Sequence, residues 1–194
     1  MSKSEFRQIA AEKVCALSAD EKREKSRAVM ESIFGLQEFK EANNILFYYS
    51  LNNEVETADA IKKAAAQGKN VYLPRVPAES AELEFCKVGD CSSELQCGCF
   101  GIMEPKPKLQ KETDKGIVDV VIVPGVVFDS DCGRIGRGKG YYDRFLADVP
   151  AIKIGAAFDV QLTEKIPARE HDVLMDYVVT ESRVLKRKLN RTGD

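Results

Sequence analysis

The amino-acid sequence predicts an α/β domain built in three layers around a mostly parallel β-sheet. Short apolar runs rich in β-branched residues alternate along the chain with longer segments of helical periodicity. The run at residues 120–125 leads into a glycine-rich stretch and then into an amphipathic helical pattern. This alternation is typical of parallel sheets that helices cover on both faces. A length of 194 residues fits one domain, which we assign to residues 1–194.

Two helices are predicted at the start of the chain, over residues 2–17 and from Ser18 to about residue 34. Ser18 and Glu21 have the spacing of a capping box, which begins the second helix. In the first helix Lys3 and Arg7 are four positions apart and therefore share a face. Spacing alone favours a solvated cationic surface for this pair.

A strand, a helix and a second strand are predicted over residues 44–49, 58–67 and 71–75. Thr57 is expected to cap the helix and Gly68 to end it. A strand, helix and strand in this order form one crossover unit, so the two strands are expected to be parallel.

The segment that follows the first predicted strand, residues 50–56, is a candidate region for ligand contacts. Ligands of open parallel sheets gather just beyond the carboxyl ends of strands. Glu54 lies in this segment. Its position alone indicates a surface charge or a carboxylate near a helix N-terminus.

Less regular structure is predicted between residues 83 and 119 and at the C-terminus. Two short strands are expected to form an antiparallel excursion, and the proline-containing segment after them is either a lid over a site or a surface connection. Core strands return in the second half of the chain, and the last helix is basic and exposed. The two short strands are predicted at residues 83–88 and 95–100, and the proline-containing segment at 106–119. The core strands are predicted at 120–125, 152–157 and 177–179. A short helical or irregular segment is predicted at 158–166, and the last helix at 182–190.

Composition excludes several classes of protein. Hydrophobic residues make up 44% and charged residues 31% of the chain, as in ordinary globular proteins. The formal net charge of −2 argues against a surface for nucleic acid or anionic membrane. The N-terminus lacks an apolar signal region, and no apolar run is long enough to span a bilayer. We therefore expect a cytoplasmic protein, acting as a monomer.

The cysteines are expected to be reduced thiols, because they lack the paired C-x-x-C spacing of zinc sites. A metal site among the cysteines between residues 86 and 99 is the less favoured alternative, since no histidine or second close pair completes it. The six cysteines are Cys15, Cys86, Cys91, Cys97, Cys99 and Cys132.

The glycine-rich stretch at residues 133–146 reads G-R-I-G-R-G-K-G-Y-Y-D-R-F-L. Its glycines allow backbone N–H groups to approach a ligand, and the helix that follows presents its positive end. The spacing meets neither the Rossmann nor the Walker fingerprint, so the glycines alone are equally compatible with a tight strand-to-helix turn. The interleaved cations favour a polyphosphate ligand. They are Arg134, Arg137 and Lys139.

This stretch, preceded by P-G-V-V-F-D at residues 124–129, resembles the signature of the 5-formyltetrahydrofolate cyclo-ligase family, also called methenyltetrahydrofolate synthetases. The resemblance covers almost the whole chain. Residues 3–7 are similar to its K-x-x-L-R with Phe6 in place of leucine, and the segment ending at Thr57 is similar to its Y-x-S-x-x-x-E-[VI]-x-T. Residues 101–105 match G-x-x-E-P, and the last matching segment is Glu170-His171-Asp172 with Asp176.

The resemblance implies an architecture similar to sugar-phosphate isomerase and CoA-transferase domains, and it implies three sets of site residues. Magnesium, with ATP as co-substrate, is assigned to Asp143 and Asp172, whose oxygen donors suit a hard cation. Without the resemblance, Asp143 is as well explained as a carboxylate at a helix terminus. ATP is assigned to Lys3, Arg7, Arg134, Gly136, Arg137, Gly138, Lys139, Gly140, Tyr141 and Tyr142. The folate substrate is assigned to Arg7, Tyr49, Glu54, Arg137, Gly138, Lys139, Gly140 and Tyr141.

The activity implied is the ATP- and magnesium-dependent conversion of 5-formyltetrahydrofolate to 5,10-methenyltetrahydrofolate, with release of ADP and phosphate, through a phosphorylated N5-formyl group. A sugar-phosphate isomerase or CoA-transferase-like enzyme on the same fold is the alternative, because a fold does not fix its chemistry. A non-catalytic folate- or nucleotide-binding protein is a third. The lone histidine, His171, is not assigned as a general base, since no nucleophile motif accompanies it.

Overall fold

The computed structural model describes residues 1–77, 82–98, 101–169 and 172–188. Helices and strands alternate along the described chain, together with two turns of 3-10 helix at Lys115–Ile117 and Asp159–Gln161. The helices are α1 (Lys3–Cys15), α2 (Ala19–Gly35), α3 (Gln37–Glu41), α4 (Ala58–Ala66), α5 (Cys91–Glu94) and α6 (Tyr141–Ala147). The strands are β1 (Asn44–Leu46), β2 (Asn70–Arg75), β3 (Glu84–Val88), β4 (Leu95–Cys97), β5 (Met103–Pro105), β6 (Lys111–Glu112), β7 (Val120–Pro124), β8 (Val127–Asp129), β9 (Arg134–Ile135), β10 (Ile152–Ala156), β11 (Leu162–Thr163), β12 (Tyr177–Val179) and β13 (Val184–Lys186).

The main sheet has eight strands in the order β13-β12-β10-β7-β1-β2-β3-β6. The five central strands, from β12 to β2, are parallel to their neighbours. Antiparallel strands border them on both sides, with β13 beside β12, and β3 and then β6 beside β2. The structure therefore confirms the predicted α/β fold with a mostly parallel sheet.

Strand β7 shows why the sheet is covered on both faces. Its four apolar residues are at most 1% exposed, and successive side chains point to opposite faces of a strand. Val120 and Ile122 pack in a core cluster with residues of α2 and α4, whereas Val121 and Val123 pack in a second cluster with residues of α6. A continuous apolar run is thus explained by burial on both sides.

The first two helices begin as the sequence predicts. Ser18 Oγ accepts a hydrogen bond from the Glu21 backbone N–H at 3.2 Å, and Glu21 Oε2 accepts one from Ser18 N–H at 2.8 Å. Ser2 forms a second capping box, with Glu5, at the start of α1. Satisfied N–H groups at both helix starts fix the boundary between α1 and α2.

Thr57 occupies the N-cap position of α4, as predicted, but its side chain makes no capping hydrogen bond. Its buried Oγ1 donates to the Tyr48 carbonyl at 2.7 Å and accepts from the Ser50 N–H at 3.2 Å. The hydroxyl instead closes the connection between β1 and α4. This connection carries Glu54, so Thr57 helps to fix the position of the predicted site.

The segment at residues 106–119, predicted as a lid or a surface connection, contains β6, which pairs with β3, and a turn of 3-10 helix that follows it. The predicted C-terminal helix is absent from the described part of residues 182–190, where β13 pairs antiparallel with β12. Residues 189–190 of that prediction, and residues 99–100 of the predicted strand 95–100, lie outside the described residues. No described helix is long and apolar enough to cross a membrane.

Candidate active site

Two cavities meet at the glycine-rich loop between β9 and α6. The first has a volume of about 400 Å³ and the second about 440 Å³. The walls they share belong to the loop and its flanks, so the loop separates one cavity from the other. The shared residues are Arg134, Gly136, Gly138, Gly140 and Asp143.

The first cavity lies beyond the carboxyl ends of β1, β2 and β7 and is lined mainly by aromatic and aliphatic side chains. Its volume is within the range of pockets that hold small organic ligands. A cavity of this character suits a flat ring with a few polar edges. Its wall outside the shared loop residues consists of Tyr48, Tyr49, Leu51, Glu54, Pro74, Val76, Leu83, Ile102, Glu104, Pro124, Gly125, Arg137, Lys139, Tyr141 and Tyr142.

Besides Arg134, which it shares with the first cavity, the second cavity is lined by cations from three further parts of the chain. Lys3 and Arg7 come from α1, Arg144 from α6 and Arg169 from the segment before β12. Guanidinium and ammonium groups around a cavity bind phosphate oxygens through charge-assisted hydrogen bonds. The second cavity is therefore suited to a polyanion, and the loop between the cavities can contact both ligands.

Two glycines of the loop adopt backbone conformations that other residues rarely take. Gly138 has φ of +103° and Gly140 has φ of +70°. A Cβ atom on Gly140 would lie 2.8 Å from Arg144 Nη1, and one on Gly138 would lie 3.4 Å from Arg7 Nη2. Arg7 Nε also donates to the Gly136 carbonyl at 2.7 Å. The loop backbone is thus packed directly against two of the arginines of the second cavity.

Arg134 is a buried cation at the base of the loop, with a side chain only 3% exposed. Its Nη1 donates to the Pro124 carbonyl at 3.1 Å and its Nη2 to Asp143 Oδ1 at 2.6 Å. The guanidinium carbon lies 5.7 Å from the centre of the Tyr142 ring. Within the described residues its Nε has no hydrogen-bond partner. In this state Arg134 ties the end of β7 to α6.

Glu54 joins the segment after β1 to the glycine-rich loop. Its Oε1 accepts hydrogen bonds from Arg137 Nε at 3.2 Å and Nη2 at 3.0 Å, and its Oε2 accepts one from the Leu51 N–H at 3.0 Å. The Glu54 side chain is 11% exposed, whereas that of Arg137 is 54% exposed. Glu54 is therefore the fixed member of the pair, and Arg137 is the member that can move toward a ligand.

Asp143 and Asp172, the two predicted magnesium ligands, both line the second cavity. Each is already paired with a cation that is itself a predicted ATP contact: Asp143 with Arg134, and Asp172 with Lys3 at 2.5 Å. The Arg169 backbone N–H also donates to Asp172 Oδ2 at 2.7 Å. In the described residues no three His, Cys, Asp or Glu side chains are grouped to hold a metal. The magnesium assignment stays a prediction.

Two tyrosines on the wall of the first cavity keep their protons. Burial raises the pKa of Tyr142, and the negative charge of Glu54 raises it further, while Arg134 acts in the opposite direction. Burial also raises the pKa of Tyr48, whose hydroxyl donates to the Val55 carbonyl at 2.8 Å. Both phenols are therefore hydrogen-bond donors and not general bases near neutral pH.

All the site residues predicted from the sequence line one of the two cavities. The structure brings them together, although their individual ligand roles stay predictions. Glu170 and His171 lie outside the described residues. The sequence motifs did not identify four of the polar or charged residues that line the cavities. Arg144 had a signal, its helical spacing of four from Gly140, and Glu104 stands in the G-x-x-E-P segment. Tyr48 adjoins Tyr49 at the end of the predicted strand 44–49, and Arg169 had no recognisable signal.

The fold is a mostly parallel sheet with helices on its faces, and a cationic loop separates an aromatic cavity from a cationic one. This arrangement is typical of an α/β enzyme whose site holds two ligands. The model of the 5-formyltetrahydrofolate cyclo-ligase family matches residues 1–181. The chain therefore belongs to this family, as its sequence motifs predict, and it is an enzyme.

Individual relatives support the assignment. The chain is 32% identical over 194 residues to a probable 5-formyltetrahydrofolate cyclo-ligase of Caenorhabditis elegans, with 94% of each chain covered. It is 32% identical over 178 residues to the mouse 5-formyltetrahydrofolate cyclo-ligase, covering 86% of this chain and 87% of the mouse protein. The NMR structure of Aquifex aeolicus 5,10-methenyltetrahydrofolate synthetase is similar to this fold with a TM-score of 0.87 and 34% identity, over 100% of this chain and 97% of that one. The expected likeness to sugar-phosphate isomerase and CoA-transferase domains stays a prediction.

Proposed function

We propose that the protein converts 5-formyltetrahydrofolate to 5,10-methenyltetrahydrofolate with ATP and Mg²⁺, releasing ADP and phosphate. Membership of the cyclo-ligase family supports the folate reaction. The observation that carries the ATP-dependent form is the position of the glycine-rich loop, which is a wall of both cavities. A group on this loop can contact a phosphate in one cavity and a formyl group in the other.

The triphosphate is assigned to the second cavity. Lys3, Arg7 and Arg144 supply positive charge there, and the loop backbone carries no side chain at Gly138 and Gly140. A polyphosphate is stabilised by such cations and by backbone N–H groups. Arg169 adds a cation that the sequence did not indicate.

The folate ring system is assigned to the first cavity. Tyr49, Leu51 and Tyr141 offer apolar surface for the ring, and Glu54 offers carboxylate oxygens for ring N–H groups. Arg137 holds Glu54 in place and reaches the same cavity from the loop. The formyl group would then lie on the loop side of the cavity, near Lys139.

The chemistry needs an activated formyl oxygen, because an amide oxygen is a poor leaving group. The formyl oxygen attacks the γ-phosphorus of ATP, the bond from that phosphorus to the β,γ-bridging oxygen breaks, and ADP leaves. N10 then attacks the formyl carbon and loses its proton, and the bond from that carbon to the phosphorylated oxygen breaks, which releases phosphate. The cations of the loop, Arg137 and Lys139, stabilise the charge that develops on the transferring group. No covalent intermediate with the enzyme is required.

Asp143 and Asp172 would hold the magnesium ion. They are hard oxygen donors at the cavity assigned to the phosphates, which is the donor type that Mg²⁺ prefers. The ion, when bound, supplies further positive charge to the phosphate oxygens. Arg134 and Lys3, now paired with these carboxylates, would then turn to the phosphate oxygens.

The proposal is tested by incubating the protein with 5-formyltetrahydrofolate in the presence and absence of ATP and of Mg²⁺. The near-ultraviolet absorbance of the methenyl product and the amount of ADP are followed together. Product formation that needs both ATP and Mg²⁺, with one ADP for each methenyl group, is the expected result. Methenyl product formed at the same rate without ATP, or none with all components present, contradicts the proposal.

A further inference from the structure

Glu104, the glutamate of the G-x-x-E-P segment, is a buried carboxylate on the wall of the first cavity that the proposed chemistry does not use. It lies in β5 and is 9% exposed. The cavity wall around its strand and the neighbouring end of β2 is apolar. This part of the wall includes Pro74, Val76, Leu83 and Ile102.

Within the described residues the carboxylate has few hydrogen-bond partners. Its one side-chain hydrogen bond to the described residues is accepted by Oε2 from the Val76 N–H at 3.4 Å, near the limit for such a bond. Among the described residues Glu104 forms no ion pair, in contrast to Glu54, which is paired with Arg137. Carboxylates that are buried without strong partners are costly, so natural proteins retain them where something else supplies hydrogen bonds.

The space that this carboxyl group occupies exists because Gly98, which packs against it, has no Cβ atom. A Cβ atom on Gly98 would lie 2.0 Å from Glu104 Cδ and 2.1 Å from Oε1. Residue 98 must therefore be glycine for the carboxyl group to occupy its position. The pairing of β4 with β5, which places Cys97 opposite Met103, fixes this approach.

We infer that Glu104 is a specificity-determining residue that accepts hydrogen bonds from the N–H groups of the folate pteridine ring. The inference rests on the proposed function, which assigns the folate to this cavity. The pyrimidine part of the ring carries an amide N–H beside an amino group, and the two oxygens of one carboxylate can accept from both. Within the described residues Glu54 already accepts three hydrogen bonds, from Arg137 and the Leu51 N–H, whereas Glu104 accepts one, so Glu104 has more unused acceptor capacity for the ring beside Glu54.

The test compares equilibrium binding of 5-formyltetrahydrofolate and of ATP to the wild-type protein and to Glu104→Gln, with thermal unfolding measured in parallel. Glutamine keeps the size of the side chain but replaces one acceptor oxygen by an N–H₂ donor. The folate affinity should fall by about tenfold to a hundredfold, as expected for loss of a charge-assisted hydrogen bond. The ATP affinity and the melting temperature should stay at wild-type values. Glu24→Gln, an exposed carboxylate on α2, is the matched control and should change none of these.

A second variant leaves Glu104 in place and changes the glycine that packs against its carboxyl group. Gly98→Ala should displace it and reproduce the selective loss of folate affinity. Wild-type folate affinity in Glu104→Gln overturns the inference, and so does an equal loss of folate and ATP affinity with a lowered melting temperature, which identifies a purely structural role. If the wild-type protein itself fails to bind 5-formyltetrahydrofolate, the proposed function fails and the inference fails with it.

Discussion

Lys3 and Asp172 form an ion pair on the wall of the second cavity, where Lys3 Nζ lies 2.5 Å from Asp172 Oδ2. Their side chains are 16% and 14% exposed. Arg134 and Asp143 form a second pair at the same cavity, at 2.6 Å. In each pair a predicted phosphate contact is joined to a predicted magnesium ligand. Binding of magnesium and ATP would break both ion pairs together, because the carboxylates would turn to the ion and the cations to the phosphates. We therefore expect the ion and the nucleotide to bind with strong mutual dependence.

Shared binding of one Mg²⁺ by Asp143 and Asp172 is tested with Asp143→Asn, Asp172→Asn and the double variant. Asparagine keeps the size of the side chain but removes the charge, so each single variant should need more Mg²⁺ for half-maximal kcat/KM. The double variant should lose less than the sum of the single losses, because residues that act on one ion are not independent. The measurement is kcat/KM against Mg²⁺ concentration. Additive losses with an unchanged Mg²⁺ midpoint mean that the two carboxylates do not share a metal.

Lys139→Ala should raise the KM for ATP and lower kcat. The lysine lies on the loop between the two cavities, where negative charge grows during phosphoryl transfer. We expect kcat/KM to fall by about tenfold or more, measured at saturating folate. Lys87→Ala removes an exposed lysine of β3, away from both cavities, and serves as the control. Equal kinetics for the two variants would place Lys139 outside the site.

Glu54→Gln should weaken binding of 5-formyltetrahydrofolate and leave ATP affinity unchanged. The change removes a carboxylate from the first cavity and weakens the attachment of Arg137, and neither Arg137 nor Leu51, the described hydrogen-bond partners of Glu54, lines the second cavity. Titration with each ligand separately measures both effects. A selective loss of ATP affinity would contradict the assignment of Glu54 to the folate.

Arg134→Met should destabilise the fold as well as the site. The side chain is 3% exposed, and its loss leaves Asp143 without its partner and the Pro124 carbonyl without a donor. Because Asp143 is still 25% exposed, we expect a loss of roughly 2 to 4 kcal/mol in the free energy of unfolding, toward the lower end for buried pairs. Arg23→Met breaks the exposed Arg23–Asp20 pair and should cost less than about 0.5 kcal/mol. Urea unfolding measures the free energy of unfolding of both variants. Similar losses of stability in the two would show that the buried Arg134 contributes no more to the fold than an exposed arginine.

Thiol reactivity should separate the cysteines by burial. Cys15 and Cys97 are exposed, whereas Cys86 and Cys132 are buried. Burial raises the pKa of the Cys132 thiol to about 11 and also raises that of Cys86, so little thiolate forms near neutral pH. An alkylating reagent should modify the exposed pair in the native protein and the buried pair only after unfolding. Rapid native labelling of Cys132 would contradict its position in the core.

The central strands and the glycine-rich loop could be predicted from the sequence because their signals are local. Val120, Val121, Ile122 and Val123 form an uninterrupted apolar run, which burial on both faces explains. The start of α2 was also predictable, since Ser18 and Glu21 satisfy the helix terminus within one turn. These features depend on periodicity and capping, which neighbouring residues determine.

The features that sequence patterns could not give depend on contacts between distant segments. β13 was predicted as helix because its basic composition is compatible with both structures, and its pairing with β12 decides between them. Thr57 has the pattern of a helix cap, yet the Tyr48 carbonyl offers its hydroxyl a buried partner. The ion pair of Lys3 with Asp172 and the cavity position of Arg169 likewise arise only when the two ends of the chain meet.

The most direct test of the account follows the formyl oxygen itself. 5-Formyltetrahydrofolate labelled with a heavy oxygen isotope in the formyl group is converted with unlabelled ATP and Mg²⁺ in unlabelled water, and the phosphate released is analysed by mass spectrometry. Because we assign phosphoryl transfer to the formyl oxygen, each phosphate should carry one labelled oxygen and the ADP none. Unlabelled phosphate, released while the methenyl product forms at its full rate, would contradict phosphorylation of the formyl group.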